Sequence, residues 1–200
     1  MSDRVFFPLI IMIAALMVIA AARPGTDDLP RGPIGGADSD YKTIIVEGVQ
    51  LNRIIAGGDA AMGLVSRNGQ PVLKIESLAG TQRRDPSRGP HFELDADIER
   101  VFSDHEVQIT VTARPNERKG AHAFQAIYSA GRPGDSGWQT FDMVPGWRDY
   151  QFIYRVPQKS GENAFDYLGV RPVVVEDTRS ILIKRITFQR FEKRQTGDGA

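Results

Sequence analysis

Glu106–Arg114 reads EVQITVTAR. Its apolar residues Val107, Ile109, Val111 and Ala113 occupy every second position, and Gln108, Thr110, Thr112 and Arg114 fill the positions between. Successive side chains of a strand point to opposite faces, so this stretch predicts a strand with one face in a core and the other in water. A helix would scatter the same four apolar residues around its circumference. The fold class follows from how often this pattern returns.

It returns in RDYQFIYRV, where Tyr150, Phe152, Tyr154 and Val156 form an apolar face against Asp149, Gln151 and Arg155. In AFQAIYSA the apolar set is Phe124, Ala126, Tyr128 and Ala130. KTIIVEGVQL, QPVLKIES, PHFELDADI, GWQTFDMV, FDYLGVRPVV and SILIKRITFQRF supply further strand candidates. Gly, Pro, Asn and Asp separate these runs, and no convincing amphipathic helix lies between them. The expectation is an all-β domain over residues 41–191, an antiparallel sandwich or barrel. The tail EKRQTGDGA, residues 192–200, reads as disordered.

The amino-terminal end has a different character. Val5 to Ala22 runs for 18 residues without a charge or a hydrogen-bonding side chain. Roughly 20 residues at about 1.5 Å rise cross a hydrocarbon core of about 30 Å, so residues 1–22 read as a transmembrane anchor. Pro8 falls in the first turn, where its missing N–H has no partner to lose. The alternative is a cleaved signal peptide, which needs a shorter apolar core and small residues such as Ala20, Ala21 and Ala22. Both readings export the remainder. The short leading tail is assigned to the cytoplasm, which puts the chain in the inner membrane of a bacterial-type envelope with its C-terminal domain in the periplasm. Residues 23–40, RPGTDDLPRGPIGGADSD, hold three prolines and four glycines among 18 residues. They read as a flexible tether with a reach of roughly 20–25 Å.

Composition excludes several classes of function. With no cysteine there are no disulfides, thiol nucleophiles or thiolate metal sites. Equal numbers of acidic and basic residues, 25 of each, give no basic footprint for nucleic acid. Three scattered histidines lack metal-ligand spacing.

RPGDSGW, Arg132–Trp138, contains the four letters that surround the nucleophile of trypsin-like serine proteases. A base and an orienting carboxylate are formally available in His91 or His105 and Asp104, but all lie within 46 positions of Ser136. Such a triad needs residues brought together from distant parts of a two-barrel domain, and Pro-Gly-Asp-Ser-Gly is strong turn chemistry. The stretch reads as a hairpin loop, and no catalysis is expected. In HFELDADIER, Glu93, Asp95, Asp97 and Glu99 alternate with Phe92, Leu94, Ala96 and Ile98. On a strand this puts four carboxylates on one face at about 6.8 Å spacing, either a solvated face paired across the sheet or oxygens for a calcium ion. Arg83, Arg84 and Arg88 cluster in a Gly/Pro-containing loop, and arginine forks suit carboxylate, sulfate or phosphate.

The strand order HEVQITVTARPNE, FQAIYSA, GWQTFDMVPGWRDYQFIYRVP, FDYLGVRP and SILIKRITFQRF resembles the galactose-binding-like jelly roll of many carbohydrate-binding modules. Trp138, Phe141, Trp147, Tyr150 and Phe152 stand in the hairpin of that pattern, and Ile186 and Phe188 in its closing strand. The resemblance spans about Tyr41 to Phe191. It implies a β-sandwich of jelly-roll type, sometimes with a structural calcium, and core positions for Trp147 and Tyr150. The expectation is a non-catalytic binding module for an envelope or exported polysaccharide. Its site would be built from Trp138, Tyr128, Arg83, Arg84 and Arg88. The alternative is an accessory subunit whose helix packs in an inner-membrane complex and whose sandwich docks on the periplasmic face.

Overall fold

The computed structural model describes residues 12–14, 17, 29–37, 39–58, 60–78, 88–158 and 165–191. In chain order the elements are β1 (Thr43–Glu47), a 3-10 turn η1 (Gly48–Arg53), β2 (Ala61–Arg67), β3 (Gln70–Ser77) and β4 (His91–Leu94). Helix α1 (Ala96–Phe102), β5 (Glu106–Pro115), β6 (Ala123–Ser129), β7 (Gln139–Asp142), β8 (Arg148–Arg155), β9 (Asp166–Pro172) and β10 (Arg179–Phe191) follow. Two antiparallel sheets form. One has the order β2-β3-β10-β5-β8, with β1 also on β10, and the other the order β4-β9-β6-β7.

Between them lies the core that the alternation predicts. Val107, Ile109, Val111 and Ala113 face it from β5, and Phe124, Ala126 and Tyr128 from β6, all fully buried. From β8, Phe152 is buried while Tyr150 and Tyr154 pack against the core partly exposed. At roughly 25 cal/mol per Å² of apolar surface removed from water, this interleaving is the main force closing the two sheets on each other.

Strand β10 organises the larger sheet. Its first half pairs with β3 and its second half with β1, while β5 runs along its other side. The pairing with β5 slips between Ile183 and Arg185. This bulge is written in ILIKRITF: Ile181 and Ile183 face inward, and so do Ile186 and Phe188, three residues later rather than two. One extra residue, Lys184, keeps both apolar pairs in the core. Across the β2–β3 hairpin, Asn68 and Gly69 both take positive φ, +51° and +77°, the two-residue turn whose twist matches the strands it joins.

Three expectations change. HFELDADIER is not one strand: β4 stops at Leu94 and α1 begins at Ala96, with Asp95 at the N-cap accepting the Ala96 N–H at 2.7 Å. Ile98 and Phe102, four apart and fully buried, set the helical period, and Asp97 and Glu99 sit in the first turn, where the helix dipole favours carboxylates. The tether is not free throughout its span. Ile34 pairs with the sheet, its N–H donating to the Glu93 carbonyl and its own carbonyl accepting from Asp95 N–H, both at 2.8 Å, and its side chain is buried. Trp147 is half-buried outside the core cluster, with the Arg114 guanidinium 5.2 Å from its ring centroid. Among the described residues no helix is long and apolar enough to cross a membrane. Most of the apolar run at Val5–Ala22 lies outside the described residues, as does the 192–200 tail.

Candidate glycan-binding face

Because Phe124, Ala126 and Tyr128 point into the core, Gln125, Ile127 and Ser129 of β6 must point out. The strand register extends this into rows across the four-stranded sheet. Gln125 stands between Arg171 of β9 and Thr140 of β7, Ile127 beside Gly169 and then His91, and Ser129 beside Tyr167 and then Glu93. Trp138, immediately before β7, joins the edge of this face.

The first row is a bonded chain. Arg171 donates through Nε and Nη2 to Gln125 Oε1 at 3.0 and 2.8 Å, and Gln125 Nε2 donates to Thr140 Oγ1 at 3.0 Å. The Arg171 guanidinium also lies over the Trp138 ring, 3.7 Å from its centroid. Burial against these neighbours holds the Arg171 pKa below its ordinary value. In the next rows His91 and Tyr167 meet edge to face at 5.2 Å, and His91 Nδ1 is 2.7 Å from the Gly89 carbonyl oxygen. Gly169 stands between His91 and Ile127 without a side chain, and all three are buried at the centre of the face. The result is a half-buried indole fixed on a planar cation, next to amide and hydroxyl groups whose directions are already set. Such groups lose little freedom when they take up a ligand.

Of the residues singled out by sequence, the structure brings Trp138 to this face. Arg88 is exposed just before β4, three residues from His91. Arg83 and Arg84 lie outside the described residues. Tyr128 is a correction: it is fully buried, and its hydroxyl donates to Asp166 Oδ2 at 2.6 Å. The alternation that made it a strand residue already placed it with Phe124 and Ala126 on the core side, so it cannot line an exposed patch. Burial and the nearby Asp166 carboxylate push its pKa well above the usual tyrosine range. Tyr167 is among the aromatics that the sequence offers as a platform for sugar rings, whereas Arg171, Gln125, Thr140 and the part His91 plays here were missed, although the positions between apolar ones in AFQAIYSA and FDYLGVRP would have found two of them.

The other candidates resolve into structure. Ser136 lies in the loop joining β6 to β7, its Oγ accepting from Tyr128 N–H and donating to the Gly137 carbonyl, each at 3.0 Å. The four carboxylates are dispersed. Asp97 accepts from Gly36 N–H at 3.0 Å and Tyr41 hydroxyl at 3.2 Å, and Glu99 from Asp166 N–H at 2.7 Å. Among the described residues no group of three or more His, Asp or Glu side chains is placed to hold a metal ion.

No protein-family model matches the chain, and no curated protein matches it. Solved structures do. An arabinose-bound α-L-arabinofuranosidase, MgGH51, superposes with a TM-score of 0.53 at 7% identity, over 80% of this chain and 28% of that one. The family 22 carbohydrate-binding module at the C-terminal side of Clostridium thermocellum Xyn10B gives a TM-score of 0.47 at 18% identity, covering 68% of this chain and 84% of the module. The CBM22-1–GH10 modules of the same organism's endo-1,4-β-D-xylanase 10B, complexed with xylohexaose, give 0.45 at 17%, covering 68% of this chain and 25% of theirs. The chain thus spans about a quarter of the xylanase chain it matches. At such identities the similarity concerns the fold alone, an antiparallel β-sandwich.

Proposed function

We propose that this chain is a non-catalytic, membrane-anchored binding module that takes a polysaccharide on the outer face of its four-stranded sheet. The observation that carries the reading is the row Trp138–Arg171–Gln125–Thr140, with Tyr167 and His91 in the adjoining rows. Sugar rings have apolar C–H faces that stack on an indole, and hydroxyls that take hydrogen bonds from amides and guanidinium groups. A face combining one fixed aromatic with pre-oriented donors and acceptors suits that chemistry. The apolar run at Val5–Ala22 anchors the module in the inner membrane and places the sandwich in the periplasm.

The test is titration calorimetry of the full-length chain in detergent against soluble xylan and against acidic envelope polysaccharides. Binding of one class, weakened at least about tenfold by Trp138→Ala and unchanged by Arg155→Ala on the opposite sheet, supports the reading. No heat with any polysaccharide at millimolar sugar overturns it. The second reading, an accessory subunit of an inner-membrane complex, makes a different demand: a stoichiometric partner retained on purification in mild detergent.

A further inference from the structure

Among the described residues, strand β1 has a neighbour on one side only. Its phase is fixed by the bond from Arg190 N–H to the Lys42 carbonyl, 2.8 Å, with Lys42 one step before the Thr43–Gln189 pair. Hydrogen-bonded pairs alternate along an antiparallel ladder, so Ile44 and Val46 turn their backbone groups to β10 while Thr43, Ile45 and Glu47 turn theirs away. Asp40 supplies an independent sign of the same phase, its Oδ1 accepting the Thr43 N–H at 3.0 Å. The carbonyls of Thr43 and Ile45 and the N–H groups of Ile45 and Glu47 therefore form an open edge, without a partner among the described residues. Ile45, at its centre, is 53% exposed.

This edge faces a groove of about 350 Å³ walled by Ile34, Gly35 and Ser39 on one side and by Gln50 and Arg53 of η1 on the other. The geometry points to this groove as the docking site of an extended peptide from another protein, added as an antiparallel strand to β1. Only a polypeptide backbone repeats donors and acceptors at the roughly 6.8 Å period of alternate strand residues. Four main-chain bonds would form: two with Ile45, one with Thr43 and one with Glu47. Side chains opposite Ile44 and Val46 would point toward buried Ile34 and so be apolar.

Charge sets the direction. An antiparallel segment enters beside Glu47, which is held by Arg185 at 2.7 Å, and beside Arg53, and it leaves beside Asp40. Two backbone donors, from Thr43 and Lys42, keep the Asp40 carboxyl ionised to lower pH than usual. The fitting segment is acidic at its start, apolar at alternate positions and basic at its end. The groove walls favour a slim peptide over a second copy of the sandwich. None of this depends on the glycan reading, since the edge belongs to the other sheet.

The probe is the capped, fluorescein-labelled peptide DTVVVTK, titrated against the full-length chain by fluorescence anisotropy. Its central valine comes opposite Ile45. Ile45→Pro removes the outward N–H while sparing the β1–β10 ladder, because that N–H bonds to nothing on β10. Two further reagents carry the test if that variant fails to fold: the peptide N-methylated at its central valine, and Ile45→Thr. Saturable binding that falls at least about tenfold with Ile45→Pro or with N-methylation, and stays within about threefold with Ile45→Thr, is expected. Equal binding of the methylated and unmethylated peptides, or no binding at millimolar peptide, would overturn the proposal. A sedimentation dimer of the chain alone that Ile45→Pro dissolves would also overturn it, by showing a second copy on the edge.

Discussion

Trp138 and Arg171 meet ring against guanidinium at 3.7 Å, and each fixes the other. The contact is worth about 0.5–2 kcal/mol, and its larger effect is on orientation. Arg171→Lys keeps the charge but loses the planar stack and the fork on Gln125. We expect it to weaken polysaccharide binding about tenfold in titration calorimetry while leaving the melting temperature within about 2 °C. Tyr128 gives the opposite result. Tyr128→Phe deprives the buried Asp166 carboxylate of its 2.6 Å donor, so urea unfolding should lose about 1–3 kcal/mol with no change in glycan affinity. The same residue sets an alkaline limit. Its folded pKa is raised above the unfolded value near 10, so its stabilising contribution is complete below that value and fades as pH climbs toward the folded pKa. Thermal unfolding midpoints should drop above about pH 10, and drop less in Tyr128→Phe. Partly buried Tyr154 is raised as well and adds a smaller term of the same sign.

At the scale of elements, the two-residue period identified the core-facing residues of β5, β6 and β8; in β5 and β8 the other face is wet, whereas in β6 Ile127 and Ser129 on the outward side are buried as well. It failed at HFELDADIER, where four residues of strand run into seven of helix without a break in the alternation. The deciding signal there is Asp95 as an N-cap ahead of Ile98 and Phe102, a local cue that a longer period-two run hides. It failed again in the Gly/Pro-rich stretch around Ile34, since one apolar residue among turn formers carries no period at all. The binding face was legible only in part for a related reason: polar residues that alternate with core positions look alike on both sheets, and only the strand order brings Gln125, Arg171 and Thr140 into line. The bulge in β10 permits a sharp test. Deleting Lys184 shifts Ile186 and Phe188 to the outer face and should abolish cooperative unfolding by circular dichroism, whereas Lys184→Ala keeps the register and should cost under about 1 kcal/mol.

Across the whole molecule, the two inferred ligands fall on different sheets. The proposed glycan face is the outside of β4-β9-β6-β7, and the open edge is β1 on the six-stranded sheet. Trp138→Ala and Ile45→Pro should therefore act independently, each weakening one kind of binding at least about tenfold and sparing the other, as expected of distant sites.

β10 also follows every other strand of its sheet in the chain, and it is the one that β1, β3 and β5 all pair with. Until Arg179–Phe191 leaves the ribosome those three strands have no shared neighbour, and the larger sheet cannot assemble. The edges of those strands thus stay open until β10 has followed them out, which is costly in exposure to aggregation. Assembly of the larger sheet is then timed by a single strand rather than by length.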